Sequence, residues 1–400
     1  MIILFDVDGV LVHHHAYHLG LRKTVAYFSR RLGAGEHTLT QAEIDEFEAQ
    51  SVTVEWESSA ISVAALLLAR LEAGSPRPAA LSGEFWKDLE TLEREPRPAP
   101  RPDFQALARR VGAATPPGAR PSQAARRLFE AELSGAPWAA PAQLLVQALL
   151  ADCYDVDFSP THQVFQNYVV GQAVYAEAYG LAPHFEHPAL LATEDKTCLS
   201  PAMRDRLLAA RAAGQVHFSL YTARPSRPPL EVTERLRGYT PEAEMALALA
   251  GLDGDGPERV PVIAFGKLEW AARQAGRTAR ELVKPSPVQA LAAIAAARTG
   301  QERNALQAAL AVESGGPLPA LYAACAGQAV HVFEDSASSL RAATRAVEML
   351  NGYGLGLTLT RHGIAPAGSP KRDTLAQIAD YVHADVNAGL EHSLSGAGGC

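Results

Sequence analysis

The chain has 400 residues, of which 48% are hydrophobic and 20% are charged, and its formal net charge is −8. This composition is typical of a soluble globular protein, and the length exceeds what one ordinary hydrophobic core requires, which indicates two domains or one core with a large insertion. The acidic balance argues against nucleic acid as the main partner.

The N-terminal run and the cysteines predict the cellular compartment of the protein. The apolar run at the N-terminus is short and lacks a leading basic segment, so it resembles neither a signal peptide nor a membrane span. The four cysteines are scattered, with no CxxC pair, which favours reduced thiols. We therefore expect a cytoplasmic protein with no membrane partner.

The first element is a strand from Ile2 to Phe5, and Gly9 follows it as a breaker. Asp6 and Asp8 stand where this buried strand ends. A carboxylate there loses hydration, so it needs a cation or several hydrogen bonds. Because the two acids are two residues apart, they point to roughly the same side of an extended chain, and a metal would relieve their repulsion.

Residues 13–194 are mostly helical in pattern. Three stretches, "AYHLGLRKTVAYFSRRLG", "ISVAALLLARLEAG" and "THQVFQNYVVGQAVYAEAYG", carry apolar residues at three- and four-residue spacing and end in glycine. Between them, residues 92–127 concentrate proline, arginine and alanine, which predicts an exposed, partly extended segment and a solvated basic face.

From about residue 195 to residue 395 helices and strands alternate. "VHFSLYTARPS", "VPVIAF", "QAVHVFED", "YGLGLTLT" and "ADYVHAD" are predicted strands, and "PAMRDRLLAARAAG" and "SPVQALAAIAAARTG" are predicted helices. This alternation favours a parallel α/β sheet. The first strand would belong to that sheet, so residues 1–12 and 195–395 would form one α/β core and residues 13–194 a helical insertion.

Polar side chains follow several of these strands. Thr222 ends one strand, Glu334 and Asp335 end another, and Lys284 precedes a helix. In open parallel sheets reactive groups gather beyond the carboxyl ends of the strands. Together with Asp6 and Asp8 they would form a site with four carboxylates, which calls for a hard divalent cation such as Mg²⁺ and leaves room for a phosphate oxygen.

These segments together resemble the four motifs of the haloacid dehalogenase superfamily, in the branch whose helical cap lies between the first two motifs. "LFDVDGVLV" resembles its DxD motif, "FSLYT" its strand ending in Ser or Thr, "KPSP" its lysine motif and "FEDSASSLRAA" its acidic pair. The resemblance covers about residues 1–12 and 195–390 and does not reach the cap. It implies a three-layer α/β/α Rossmann-like core with a parallel sheet and a large helical cap domain that closes over the site.

The resemblance also implies roles for individual residues. Asp6 would be the nucleophile that forms an aspartyl-phosphate, and Asp8 the acid and base. Thr222 and Lys284 would bind the transferring phosphoryl group. Mg²⁺ would be held by Asp6, the backbone carbonyl of Asp8, Asp335 and Glu334. Because dehalogenases of this family lack the second aspartate, "DVD" favours phosphoryl chemistry over carbon–halogen cleavage.

Three assignments keep an alternative. Lys267 in "FGKLEW" is a rival for the lysine role, although the Pro-x-Pro context favours Lys284. Arg224, two residues beyond Thr222, is a candidate for binding a substrate phosphate or carboxylate, or for pairing with an acid of the cap. The histidine run "HHHAYH", from His13 to His18, is interpreted as a solvated linker or as one or two substrate-facing side chains.

The function predicted from the sequence is a Mg²⁺-dependent phosphatase acting on a small phosphorylated metabolite. A phosphomutase shares every motif and differs in what receives the phosphoryl group. A non-catalytic binding or regulatory module, with the Pro/Arg-rich segment making protein contacts, is the alternative from another class. The sequence predicts neither the substrate nor the oligomeric state.

Overall fold

The computed structural model describes residues 1–13, 15–74, 81–136, 138–234, 236–254 and 259–396. The chain divides into two compact units, Met1–His14 with Glu194–Cys400, and His15–Thr193. We call the first the α/β unit and the second the helical unit. The sequence predicts the division after residue 12 and before residue 195.

The α/β unit is built on a six-stranded sheet in the order β5-β4-β1-β6-β7-β8, with every neighbouring pair parallel. A separate antiparallel pair, β2 with β3, joins the segments where the chain leaves and re-enters this unit. The strands are β1 (Ile2–Phe5), β2 (Val12–His13), β3 (Lys196–Thr197), β4 (His217–Tyr221), β5 (Val262–Ile263), β6 (Ala329–Glu334), β7 (Thr358–Ile364) and β8 (Tyr381–His383).

The helical unit contains nine helices in the residues that the structure describes. They are α1 (His15–Arg31), α2 (Gln41–Ala49), α3 (Glu55–Glu72), α4 (Phe85–Arg94), α5 (Phe104–Ala114), α6 (Pro121–Leu133), α7 (Ala139–Leu150), α8 (Pro160–Tyr179) and α9 (Leu190–Thr193). The three helices predicted from apolar spacing correspond to α1, α3 and α8. No helix in the described part of the chain is long and apolar enough to span a bilayer.

One prediction for the helical unit is wrong. Residues 95–103 form neither helix nor strand, as expected of the Pro/Arg-rich segment, but α5 and α6 follow within it. Phe104, Leu107 and Val111 recur at helical spacing and are buried, and the Asp103 side chain caps the first turn of α5. The apolar spacing therefore outweighs the proline-rich composition.

Helices cover both faces of the sheet. Ile2 and Leu4 belong to one buried cluster, and Ile3 and Phe5 belong to another, because successive strand residues point to opposite faces. This is why β1 is continuously apolar. The helices of the α/β unit are α10 (Pro201–Ala212), α11 (Glu242–Leu249), α12 (Phe265–Gln274), α13 (Val288–Thr299), α14 (Glu302–Glu313), α15 (Ala337–Gly352), α16 (Lys371–Ala376) and α17 (Val386–Gly396). The predicted α/β class with a parallel sheet is confirmed.

Candidate active site

The loop after β1 turns sharply beside the acidic end of β6. Asp6 is 7% exposed, and its Oδ1 accepts a hydrogen bond from the backbone N–H of Val7 at 2.8 Å. Gly9 has φ +73°, and a Cβ atom there would lie 2.7 Å from Asp335 Oδ2. Glycine is therefore needed both for the backbone conformation and for the close approach of the loop to Asp335.

Three carboxylates meet at this edge of the sheet. Strands β1 and β6 are parallel neighbours, with Phe5 opposite Phe333, so the residues that follow them lie side by side. One oxygen each of Asp6, Glu334 and Asp335 lies within 4.8 Å of the others. Carboxylate oxygens are the ligands that Mg²⁺ prefers, and the glycine at position 9 leaves space beside Asp335. The donor set therefore fits a hard divalent cation.

Lys284 joins two of these acids. Its Nζ lies 3.0 Å from Asp6 Oδ1 and 2.8 Å from Glu334 Oε1, and it donates a hydrogen bond to the Tyr221 carbonyl at 3.2 Å. Burial opposes its charge, but the Asp6 and Glu334 carboxylates raise the pKa of Lys284 above its ordinary value. The ammonium group is therefore held charged between the two acids.

The pKa values of Asp6 and Glu334 show that the acids repel one another in spite of Lys284. Burial raises the pKa of Asp6 above its ordinary value, Lys284 opposes this rise, and Asp335 and Asp8 add to it. Burial, followed by the charge of Asp6, raises the pKa of Glu334 well above its ordinary value. One ammonium does not offset this concentration of acids, and a divalent cation would favour their ionised forms.

Asp335, the third acid, contacts a different lysine. Lys371, at the start of α16, donates a hydrogen bond to Asp335 Oδ2 at 2.5 Å, and its side chain is 59% exposed. Sequence reasoning missed Lys371, because a lysine at a helix start is ordinary on a protein surface.

Thr222 follows β4, the strand beside β1, and is 1% exposed. Its carbonyl accepts a hydrogen bond from Gln289 Nε2 at 2.8 Å, as does the Ile263 carbonyl. Gln289 Oε1 in turn accepts the Lys284 backbone N–H at 3.2 Å. Gln289 thus fixes the threonine and lysine segments relative to each other. Its signal in the sequence was a lone amide in the otherwise apolar run "VQALAAIAAA".

Arg224 lies against Asp8. Its Nε lies 3.0 and 3.1 Å from the two Asp8 oxygens, and its Nη2 lies 2.6 Å from Asp8 Oδ1 and 3.0 Å from Asp195 Oδ2. Both acids belong to the α/β unit. Sequence reasoning missed Asp195, which lies directly before β3 in the polar stretch "TEDKT" and has no motif around it.

Lys267, the rival lysine, lies elsewhere. Its Nζ donates a hydrogen bond to Glu244 at 2.8 Å and lies 3.5 Å from Glu302 Oε2. Glu302 also accepts the backbone N–H groups of Val262 and Leu230. These contacts fasten α12, α11 and α14 to the end of β5. Of the two lysines, Lys284 is the one beside Asp6.

The histidine run is divided between the two units. His13 ends β2, whereas His15 and His18 lie in α1 of the helical unit, and His14 lies outside the described residues. His18 Nε2 lies 3.0 Å from Glu48 Oε1, and this hydrogen bond raises the pKa of His18 above its ordinary value. Among the described residues, none of these histidines belongs to a group of side chains placed to hold a metal ion.

No protein-family model and no curated protein sequence matches the chain. Among solved structures, an X-ray structure from the Northeast Structural Genomics Consortium is similar over 99% of both chains, at 16% identity and a TM-score of 0.63. The match to a phosphatase from Thermococcus thioreducens (15% identity, TM-score 0.44) covers 99% of this chain and 100% of the phosphatase chain. The match to a hydrolase from Pseudomonas syringae (12% identity, TM-score 0.32) covers 99% of both chains. The first similarity supports the fold over the whole length, and the other two structures are more distant.

Proposed function

We propose that the protein is a Mg²⁺-dependent phosphatase of the haloacid dehalogenase type, acting on a small phosphorylated molecule. The observation that carries the proposal is the meeting of Asp6, Glu334 and Asp335 at one end of a parallel sheet, with Lys284 Nζ 3.0 Å from Asp6. Its further support is the order of the four motifs along the chain.

The proposed reaction has two displacements. In the first, an Asp6 oxygen forms a bond to phosphorus, the bond between phosphorus and the leaving oxygen breaks, and Asp8 gives that oxygen a proton. In the second, water attacks the phosphorus, Asp8 takes the proton of the water, and the bond to Asp6 breaks with release of inorganic phosphate. Splitting the transfer in this way replaces one difficult step by two easier ones.

The surrounding residues bind and orient in this scheme. Lys284 steadies the Asp6 carboxylate and binds a phosphoryl oxygen, and Thr222 supplies a hydroxyl to another. Mg²⁺ would be held by Asp6, Glu334 and Asp335, with the backbone carbonyl of Asp8. When bound, the ion neutralises negative charge on the transferring group.

The test is phosphate release from a panel of phosphorylated metabolites, in Mg²⁺ and in EDTA, by the wild type and Asp6→Asn. We expect turnover of at least one ester in Mg²⁺ only, and a loss of roughly 10³-fold or more in the variant. Asp205→Asn is the matched control, because Asp205 is an exposed acid paired with Arg204 outside the site. It should retain wild-type turnover.

Other outcomes would replace the proposal. Equal activity of wild type and Asp6→Asn would remove the nucleophile assignment. Interconversion of sugar-phosphate isomers without phosphate release would indicate a phosphomutase. Failure of the whole panel, together with stable co-purification of a partner protein, would indicate a binding or regulatory module.

A further inference from the structure

Arg224 makes an unusually complete contact with Asp8. Its Nε and Nη2 together contact both oxygens of that carboxylate at 2.6 to 3.1 Å, which is a paired arrangement that only a guanidinium group provides. The Asp8 side chain is 31% exposed, whereas the Arg224 side chain is 2% exposed. The carboxylate thus keeps access to solvent while the group that orients it lies in the interior.

The guanidinium group is itself held in place. Asp195, whose side chain is 1% exposed, lies 3.0 Å from Arg224 Nη2. The backbone N–H of Arg224 donates to Thr222 Oγ1 at 3.3 Å, and its carbonyl accepts the N–H of Phe265 at 3.0 Å. Two other chain segments, together with the neighbouring Thr222, therefore fix the position from which Arg224 reaches Asp8.

We propose that Arg224, anchored by Asp195, is a positioning residue that aligns the Asp8 carboxyl group with the leaving oxygen. This inference rests on the proposed phosphatase function and on the acid role of Asp8 in it. Without the pair, the Asp8 carboxyl group is still present but samples several side-chain orientations. Proton delivery to the leaving oxygen, which depends on orientation, is then the step that suffers.

The contact between Arg224 and Asp8 offers an alternative to the prediction that Arg224 binds substrate. Its Nε and Nη2 already contact Asp8 and Asp195. An arginine that bound the phosphate would contribute to every ester alike. In the first displacement, an arginine that acts through Asp8 matters only when the leaving oxygen needs a proton, and this difference separates the two roles.

The test compares two esters. The leaving group of p-nitrophenyl phosphate departs as a stable anion, whereas that of an alkyl ester such as glycerol 3-phosphate needs the proton. We expect Arg224→Gln to lower kcat/KM for the alkyl ester at least about tenfold more than for p-nitrophenyl phosphate. Because kcat/KM reports only the steps up to the first transfer, later release of phosphate from Asp6 does not affect it.

Two further variants guard against a folding defect. Asp195→Asn removes the anchor and leaves Arg224 in place, and Arg224→Lys keeps the charge but not the paired donors. Both should show the same preference for the better leaving group, to a smaller extent. Arg361→Gln is the matched control, because Arg361 makes a similar pair with Asp380 away from the site. Any change in kcat/KM that it causes should be the same for the two esters.

Losses of the same size on both esters, or no loss, in all three variants would overturn the positioning role. A rise in KM that is equal for the two esters, with kcat unchanged, would assign Arg224 to phosphate binding and also overturn it. If the wild type hydrolyses neither these esters nor any other ester of the metabolite panel, the proposed function itself fails, and the inference fails with it.

Discussion

The α/β unit and the helical unit bury charge in different ways. In the α/β unit Lys284, Lys267 and Arg224 each contact two carboxylates, and all three side chains are at most 8% exposed. In the helical unit the buried Arg70 instead donates to three backbone carbonyls, those of Leu32, Gly74 and Glu95. In the helical unit the buried arginine joins backbone segments by hydrogen bonds, whereas in the α/β unit each buried cation lies between two carboxylates.

The α/β unit itself contains two similar groups of buried charges. Lys267 with Glu244 and Glu302, like Lys284 with Asp6 and Glu334, is a buried lysine between two carboxylates. Only the second group includes a third carboxylate and lies at the end of β1. A buried lysine with two acids is therefore no sign of a catalytic site on its own, and the third carboxylate, Asp335, is what distinguishes the group around Lys284.

Exchanging each lysine for methionine should give the largest effects. Lys284→Met should lower kcat/KM by roughly 10²-fold or more, because the ammonium beside Asp6 and the phosphoryl group is lost. Lys267→Met should keep activity but lower the free energy of unfolding by about 3 to 5 kcal/mol, since it leaves Glu302 buried without its cation. Steady-state kinetics and urea unfolding measure the two effects, and the reverse pattern would exchange the roles of the lysines.

Arg70→Met tests the structural use of buried charge in the helical unit. Three backbone carbonyls lose their donor, so the free energy of unfolding should fall by about 3 kcal/mol. Arg94→Met, at an exposed position of the same unit paired with Glu90, should leave the unfolding midpoint unchanged. Equal stability of the two variants would contradict the role given to Arg70.

A chain of histidines on three adjacent strands predicts a pH dependence of stability. His362 lies 3.0 Å from His331 and 3.1 Å from His383, nitrogen to nitrogen. Burial lowers the pKa of His362 to about 3 and that of His331 to about 4. The unfolded chain therefore binds protons first as the pH falls through 6.5, the ordinary histidine value, and stability is lost from there down to about pH 4.

The loss should reach up to about 1.4 kcal/mol per pH unit for each such histidine. His362→Phe, which keeps a ring against Phe333 at the present centroid distance of 4.5 Å, should flatten this slope. Urea unfolding at a series of pH values measures it. An unchanged slope in the variant would show that His362 is not one of the groups responsible.

Gly9→Ala should give the smallest effect and the most local one. The new Cβ would lie 2.7 Å from Asp335 Oδ2, so the Mg²⁺ concentration for half-maximal activity should rise about tenfold. Gly300→Ala is a close control, because Gly300 also has φ +73° but open space around it. Both variants should lose a little stability, and only Gly9→Ala should change the Mg²⁺ requirement.

The sequence predicted more of the α/β unit than of the helical unit. The site residues follow apolar strands, and parallel strands bring their ends together, so local patterns indicated that Asp6, Thr222 and Glu334 would lie at one edge of the sheet. Asp195 and Gln289 could not be predicted, because each reaches the site only through tertiary packing. Gln289 is a single amide in an apolar run, and Asp195 lies in the polar stretch "TEDKT", which matches no motif.

In the helical unit the sequence contains a helical pattern that composition concealed. Residues 104–127 were predicted to be exposed because proline and arginine dominate the segment, yet α5 and part of α6 lie there. Phe104, Leu107 and Val111 carry the helical spacing, and the prolines lie before or between the helices or, like Pro121, at the first position of a helix. Composition averaged over the segment hid a pattern that the individual positions contain.

The most direct test of the account is a calorimetric titration of Mg²⁺ into the wild type and Asp335→Asn, with Asp205→Asn as the control. We predict one Mg²⁺ site per chain in the wild type and the control, and binding at least about tenfold weaker in Asp335→Asn, because one of the three converging carboxylates is lost. Absence of Mg²⁺ binding by the wild type, or equal affinity in all three proteins, would contradict the claim that these acids share one cation.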